Sequence, residues 1–220
     1  MGVGENLFTD MQPELLIFQL AVLIFSIMIH EISHGAVAFY LGDDTAKKAG
    51  RLTLNPLKHL DPFGSIILPA ILAIPLLFGA RSIIVGWAKP VPYDPRNLKN
   101  PKMGAGLIAL AGPVSNLIIA VVFALLLRLA TGWGNPALIL AFQVIILLNL
   151  VLAIFNLFPI PPLDGSKILY WLLPEKQQGI VYFLERNALI LILALIIFGL
   201  PLLHVILAVV YSALLRLVGL

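Results

Sequence analysis

The chain has 220 residues, of which 60% are hydrophobic and only 11% charged, with a mean hydropathy of +1.03. A soluble domain normally carries about 25% charged residues, so the composition excludes a water-soluble globule and points to an integral membrane protein seated in a lipid bilayer. The formal charge of +3 falls in loops between apolar runs and gives no nucleic-acid signal, and zero cysteines exclude a disulfide framework or a thiolate metal site.

Residues 1–14 are acidic, with Glu5, Asp10 and Glu14 and no Lys or Arg. A secretory signal would begin with positive charge and have a shorter apolar core, so this start is expected to be retained. The first predicted span runs from Leu15 to about Tyr40. At 1.5 Å per residue it covers about 39 Å, enough to cross an apolar core of about 30 Å. Within it stand His30-Glu31-Ile32-Ser33-His34. On a helix His30 and His34 are one turn apart, so both rings can reach one ion. Glu31 lies about 100° round from His30 and can border the same site. This is the H-E-x-x-H pattern, with two histidine ligands to zinc and a glutamate as general base toward a water on the metal. Ionisable residues at membrane depth are a functional signal by default.

Gly42-Asp43-Asp44 ends the span. Lys47, Lys48, Arg51 and Lys58 follow, against the acidic N-terminus. The positive-inside rule then puts the N-terminus outside, residues 43–62 in the cytoplasm and the metal nearer the cytoplasmic face. Arg51–Leu54 reads as a short extended piece. Residues 63–80 read as a short span or a re-entrant segment, interrupted by Pro69 and Pro75. Residues 82–88 look extended, and a basic, Pro-rich loop follows through Lys102. The charge of that loop favours the re-entrant reading, in which 82–88 returns as a short β-like segment.

Two further spans are predicted at 104–129, outward, and 137–158, inward. The second ends in Asn156-Leu157-Phe158-Pro159-Ile160-Pro161-Pro162-Leu163-Asp164-Gly165, where the prolines stop the helix. Residues 181–200 and 202–217 are predicted to form a C-terminal helical hairpin, broken near Gly199-Pro201, whose return places Arg216 inside. The whole reads as an all-α polytopic membrane protein forming one domain over residues 1–220. It has a three-helix core, a re-entrant or short β segment and the C-terminal hairpin.

Catalytic zinc normally has three protein ligands. Asp164 lies just past the 137–158 span, on the side where the first span ends, and would reach the metal if the Pro-rich stretch folds back toward the bilayer. Asp43, Asp44 and Asp61 are rivals in a nearby loop. His59 could approach the site, although a structural role is the plainer reading. His204 reads as an interhelical polar contact.

Taken together, His30-Glu31-x-x-His34, Gly112-Pro113-x-x-Asn116 and Asn156-x-x-Pro159…Asp164-Gly165 resemble the site-2 protease family of intramembrane zinc metalloproteases. The likeness covers about residues 15–170. Residues 54–62 and 86–92 resemble its compact bacterial and archaeal subgroup, without a PDZ or CBS domain, which implies a prokaryotic cell membrane. The resemblance implies one Zn²⁺ per chain on His30, His34 and Asp164, with Glu31 as catalytic base. It implies that Asn116 and Asn156 bind the substrate backbone or polarise the scissile carbonyl. It further implies a zinc-dependent endopeptidase that cuts a membrane-embedded protein substrate within or next to its transmembrane segment, as in regulated intramembrane proteolysis. Such a substrate must unwind, and edge strands near 51–54 or 82–88 are expected to hold it extended by strand addition.

Overall fold

The computed structural model describes residues 13–59, 61, 64, 67, 71 and 89–220. Its main helices are α1 (Pro13–Tyr40), the single turn α2 (Thr45–Lys48), α3 (Pro101–Thr131), α4 (Pro136–Asn156), α5 (Asp164–Leu172), α6 (Gln178–Arg186), α7 (Ala188–Phe198) and α8 (Leu200–Leu217). The described residues contain no strand. The expected re-entrant segment and the β-like stretch at 82–88 lie almost wholly outside the described residues.

Helices α1, α3, α4 and α8 are each long and apolar enough to cross a membrane. The starts of α3 and α4 are set locally. Asn100 and Asn135 accept hydrogen bonds from first-turn amides, and Pro101 and Pro136 follow them at the first helical position. The apolar core lies between α3, α4 and α8, where Ala120, Ala124, Leu127, Ile146, Leu150 and Leu214 are buried. Ala120 and Ala124 stand one turn apart, and their small side chains let the helices approach closely. Large apolar side chains on the opposite faces, such as Ile17, Phe25, Ile118 and Leu125, are exposed, as the surface of a protein solvated by lipid should be.

The C-terminal region departs from the expected hairpin in two places. The apolar stretch 181–200 is not one helix: α6 and α7 meet at 69°. Glu185, Arg186 and Asn187 interrupt the apolar pattern there, and Asn187 Nδ2 donates to the Phe183 carbonyl 2.7 Å away. The chain also does not reverse at Gly199-Pro201. Gly199 has helical dihedrals (φ −86°, ψ −15°). Its N–H donates to Leu195 and its carbonyl accepts from Leu203. Pro201 sits in the first turn of α8, where its missing N–H leaves no bond unmade. The end of α8 therefore lies beside the far end of α3, where Arg128 Nη1 donates to the Val218 carbonyl at 2.7 Å. Arg216 is at that far end, not back on the side where α1 ends.

The loop after α1 is organised by Asp43, which is fully buried. Its carboxylate accepts from the Asp94 N–H at 2.8 Å, from Asn97 Nδ2 at 2.7 Å and from the N–H and hydroxyl of Thr45. Burial alone would push this carboxyl up, but the hydrogen bonds from Thr45, Asn97 and Asp94 outweigh it and hold it below its ordinary value. The resulting stability is present above the unfolded pKa, near 3.9, and is lost as pH falls through the lower folded value. Asp43→Ala leaves those donors unpaired and is expected to cost about 2–4 kcal/mol. Thermal melting in detergent checks this, and an unchanged midpoint would show that the carboxylate does not hold the loop.

Candidate metal centre

Three helices bring the site together below the end of α1. His30 and His34 share one face of α1, with their ring centroids 4.6 Å apart. The Nδ1–H of His34 donates to the Ile108 carbonyl of α3 at 2.6 Å, and the Nδ1–H of His30 donates to Asn116 Oδ1, also at 2.6 Å. Both rings thus present Nε2 inward. Pro113 lies between those two α3 partners; it lacks the N–H that would bond Ala109, and its ring opens the helix on that side.

Asp164, the first residue of α5, closes the cluster. Its Oδ2 lies 3.0 Å from His30 Nε2 and 3.2 Å from His34 Nε2. All three side chains are buried. Two glycines permit this approach. A Cβ on Gly112 would stand 2.5 Å from His30 Nε2 and 2.6 Å from His34 Cε1, and one on Gly165 would collide with the Leu157 carbonyl oxygen. The donor set suits zinc. With zinc–ligand distances of about 2.0–2.2 Å in a tetrahedron, neighbouring ligand atoms stand roughly 3.3 Å apart, close to the spacing seen here.

Glu31 borders the cluster: one carboxylate oxygen and one nitrogen of each histidine lie within 4.8 Å of one another. Its Oε2 accepts from the Val91 N–H at 2.9 Å. Val91 belongs to a segment without regular secondary structure that Arg51 fastens, Nη2 donating to the Lys89 and Pro90 carbonyls at 3.4 and 3.3 Å. Arg51–Leu54 is accordingly a series of bends and not the strand expected from sequence. The arginine turns toward the 89–90 backbone, and the Thr53 carbonyl accepts from His59 Nε2 at 2.9 Å.

The other candidates fall elsewhere. His59 is buried but pins its own loop. Asp43 holds the loop, Asp44 pairs with Lys48, and Asp61 accepts from the Gly64 N–H. His204 donates Nδ1–H to Leu200 one turn back. Asn156 ends α4 and donates to Leu152 in its own helix at 2.9 Å. Asn116 is fully buried, and its two amide ends are engaged by His30 and by Asn149. Sequence reasoning missed Asn149 and Ser26, which sit behind Asn116; the available signal was that Asn149 lies seven residues before Asn156 and Ser26 four before His30, each on the marked face of its helix.

A histidine–histidine–aspartate cluster with an adjacent glutamate, held between membrane-crossing helices, defines the class of helical membrane metallopeptidases. The description of peptidase family M50 matches residues 131–200. The chain is 43% identical over 182 residues to a Bacillus subtilis protein named "Putative zinc metalloprotease YwhC", covering 80% of this chain and 78% of that one. It is 31% identical over 177 residues to a Mycolicibacterium smegmatis protein named "Putative zinc metalloprotease Rip2", covering 79% of this chain and 64% of the relative. It is 32% identical over 166 residues to Rip2 of Mycobacterium tuberculosis, covering 70% and 57%. The chain thus spans less than two thirds of the mycobacterial proteins. No solved structure matches. The chain belongs to peptidase family M50, the site-2 protease family, and is a zinc metalloprotease of the membrane.

Proposed function

We propose that this protein is an intramembrane endopeptidase that hydrolyses a peptide bond within or next to the transmembrane segment of another protein. The observation that carries this reading is Asp164 Oδ2 within 3.2 Å of both Nε2 atoms, at a depth reached between membrane-crossing helices. His30, His34 and Asp164 would hold one zinc ion per chain. Zinc supplies Lewis acidity, bringing the pKa of a water toward 7 and polarising a carbonyl oxygen. Glu31 accepts the proton of the attacking water and delivers it to the departing amide nitrogen, so each cycle consumes one water and restores the carboxylate. The Val91 N–H fixes one carboxylate oxygen of Glu31 and leaves the other for the water. Asn156 ends α4, and the amide hydrogen it does not give to Leu152 is the candidate donor to the developing oxyanion.

Basic residues support a cytoplasmic position for the site. Lys47 and Lys48 follow α1, Lys102 donates to the Leu173 carbonyl, and Lys167 stands 5.7 Å over the Tyr93 ring. All lie at the end of the bundle nearer the cluster, and cytoplasmic loops carry the excess of Lys and Arg.

Metal content of the detergent-purified protein tests the site. About one zinc per chain is expected, with loss in His34→Ala and Asp164→Ala. Full zinc in Asp164→Ala would overturn the third ligand. Substrate class is tested separately in liposomes that hold the protein and a labelled single-span reporter. A cut inside or beside the apolar segment is expected; cleavage confined to soluble casein would overturn the intramembrane reading.

A further inference from the structure

Behind His30 runs a buried chain of side chains that spans three helices. Asn116 Nδ2 donates to Asn149 Oδ1 at 2.9 Å. Asn149 Nδ2 donates to Ser26 Oγ at 3.0 Å and to the Ile145 carbonyl at 2.9 Å. Ser26, Asn116 and Asn149 are all buried, the two asparagines completely. In a lipid-solvated protein a buried amide is costly unless it is fully hydrogen-bonded.

The polarity of this chain is determined at its far end. A side-chain amide can be turned over without changing its shape, so its orientation follows from its partners. The Ile145 carbonyl can only accept, so Asn149 must present Nδ2 to it. Asn149 then presents Oδ1 to Asn116, which must answer with Nδ2. The Ser26 carbonyl, 3.4 Å from the same nitrogen and likewise an obligate acceptor, requires the same orientation. Asn116 is left with Oδ1 toward His30, and His30 must place a proton on Nδ1. Its Nε2, the atom facing Asp164, then keeps a lone pair for a metal. His34 reaches the same state by a shorter route, because the backbone carbonyl of Ile108 fixes its Nδ1–H directly.

We propose that Asn149 is a positioning residue of the metal centre: acting through Asn116, and oriented by the Ile145 carbonyl, it fixes the His30 ring with its proton on Nδ1 and Nε2 free to bind zinc. The proposal rests on the metal-site reading above. The partners that orient metal-bound histidines commonly contribute 10–100-fold to metal affinity.

The test compares wild type, Asn149→Leu and Ser26→Ala. Competition with a chromogenic zinc chelator reads affinity, and histidine-selective ¹⁵N NMR reads solvent exchange of the ring N–H protons. The chain has only four histidines, so each can be assigned. In wild type both His30 and His34 should show slowly exchanging Nδ1–H protons. Asn149→Leu should weaken zinc binding about 10–100-fold and speed His30 Nδ1–H exchange at least about tenfold, with His34 unchanged. Ser26→Ala leaves both carbonyls in place and should lower affinity by less than about threefold. A residue that served only as interhelical glue would affect both histidines together. Equal effects on His30 and His34, an unaltered His30 in Asn149→Leu, or a wild-type His30 protonated at Nε2 alone would each overturn the proposal. Failure of wild type to bind zinc would overturn the metal reading instead, and the exchange measurement on that same protein would still decide the orientation of His30. Should Asn149→Leu not fold, the wild-type spectrum alone decides.

Discussion

Gly112→Ala is expected to empty the metal centre while leaving the bundle folded. The added Cβ would stand 2.5 Å from both Cε1 and Nε2 of His30, and 2.6 Å from Cε1 of His34. Cβ contacts under 3.0 Å are essentially never seen, so something must move. The rings have no easy retreat, because each is held from behind, His30 by Asn116 and His34 by the Ile108 carbonyl. Forcing extra atoms into a packed site costs about 1–3 kcal/mol, and here it falls on the ligand geometry itself. Zinc affinity should drop at least about 100-fold, since the change disturbs two ligand rings and not only one supporting partner. Gly179→Ala is the control. Nothing lies within 4 Å of its Cβ position, so that variant should keep full zinc and gain slightly in helix stability. Wild-type affinity in Gly112→Ala would show that α3 does not press on the histidines.

Glu31→Gln is expected to separate chemistry from assembly. A glutamine oxygen can still accept from the Val91 N–H, so the 89–93 segment should stay over the site. The ligand set is untouched and zinc should be retained. The amide cannot take a proton, so cleavage of the membrane reporter should fall about 10²–10⁴-fold, the usual contribution of a general base. Activity within tenfold of wild type would assign the base elsewhere, and loss of zinc would make Glu31 a ligand. Glu31→Ala would be a less clean variant, because it also leaves the Val91 N–H unpaired.

What could be read from the sequence depended on whether a residue's type or its neighbours decided its place. His30, Glu31 and His34 were legible because helical spacing alone puts two rings on one face. Asp164 was legible from topology: α1 and α4 end on the same side, and α5 begins there. The four membrane-crossing helices α1, α3, α4 and α8 were legible from length and hydropathy. Asn116 is in the right neighbourhood but faces the histidine, and spacing along α3 could not show which way its amide turns. Asn149 escaped attention because one asparagine in an apolar helix has no fixed meaning until its partners on other helices are known. The expected hairpin failed for a different reason. Gly and Pro are strong turn signals, yet a proline in the first turn of a helix is also well placed, and only the helical dihedrals of Gly199 choose between the two. The bend at Asn187 was signalled by three consecutive polar residues, which a window averaging hydropathy over 181–200 smooths away.

The separation of His30 from Asp164, 134 positions along the chain, has a consequence for biosynthesis. The histidine pair enters the bilayer with the first helix, before the carboxylate has been translated. At about 5–20 residues per second the gap lasts roughly 7–27 s. Throughout that interval the nascent chain carries two donor groups and no third. The metal centre closes only when α5 folds back against the end of α4, beneath α1. A chain that stops before residue 164 lacks the third donor beside the histidine pair.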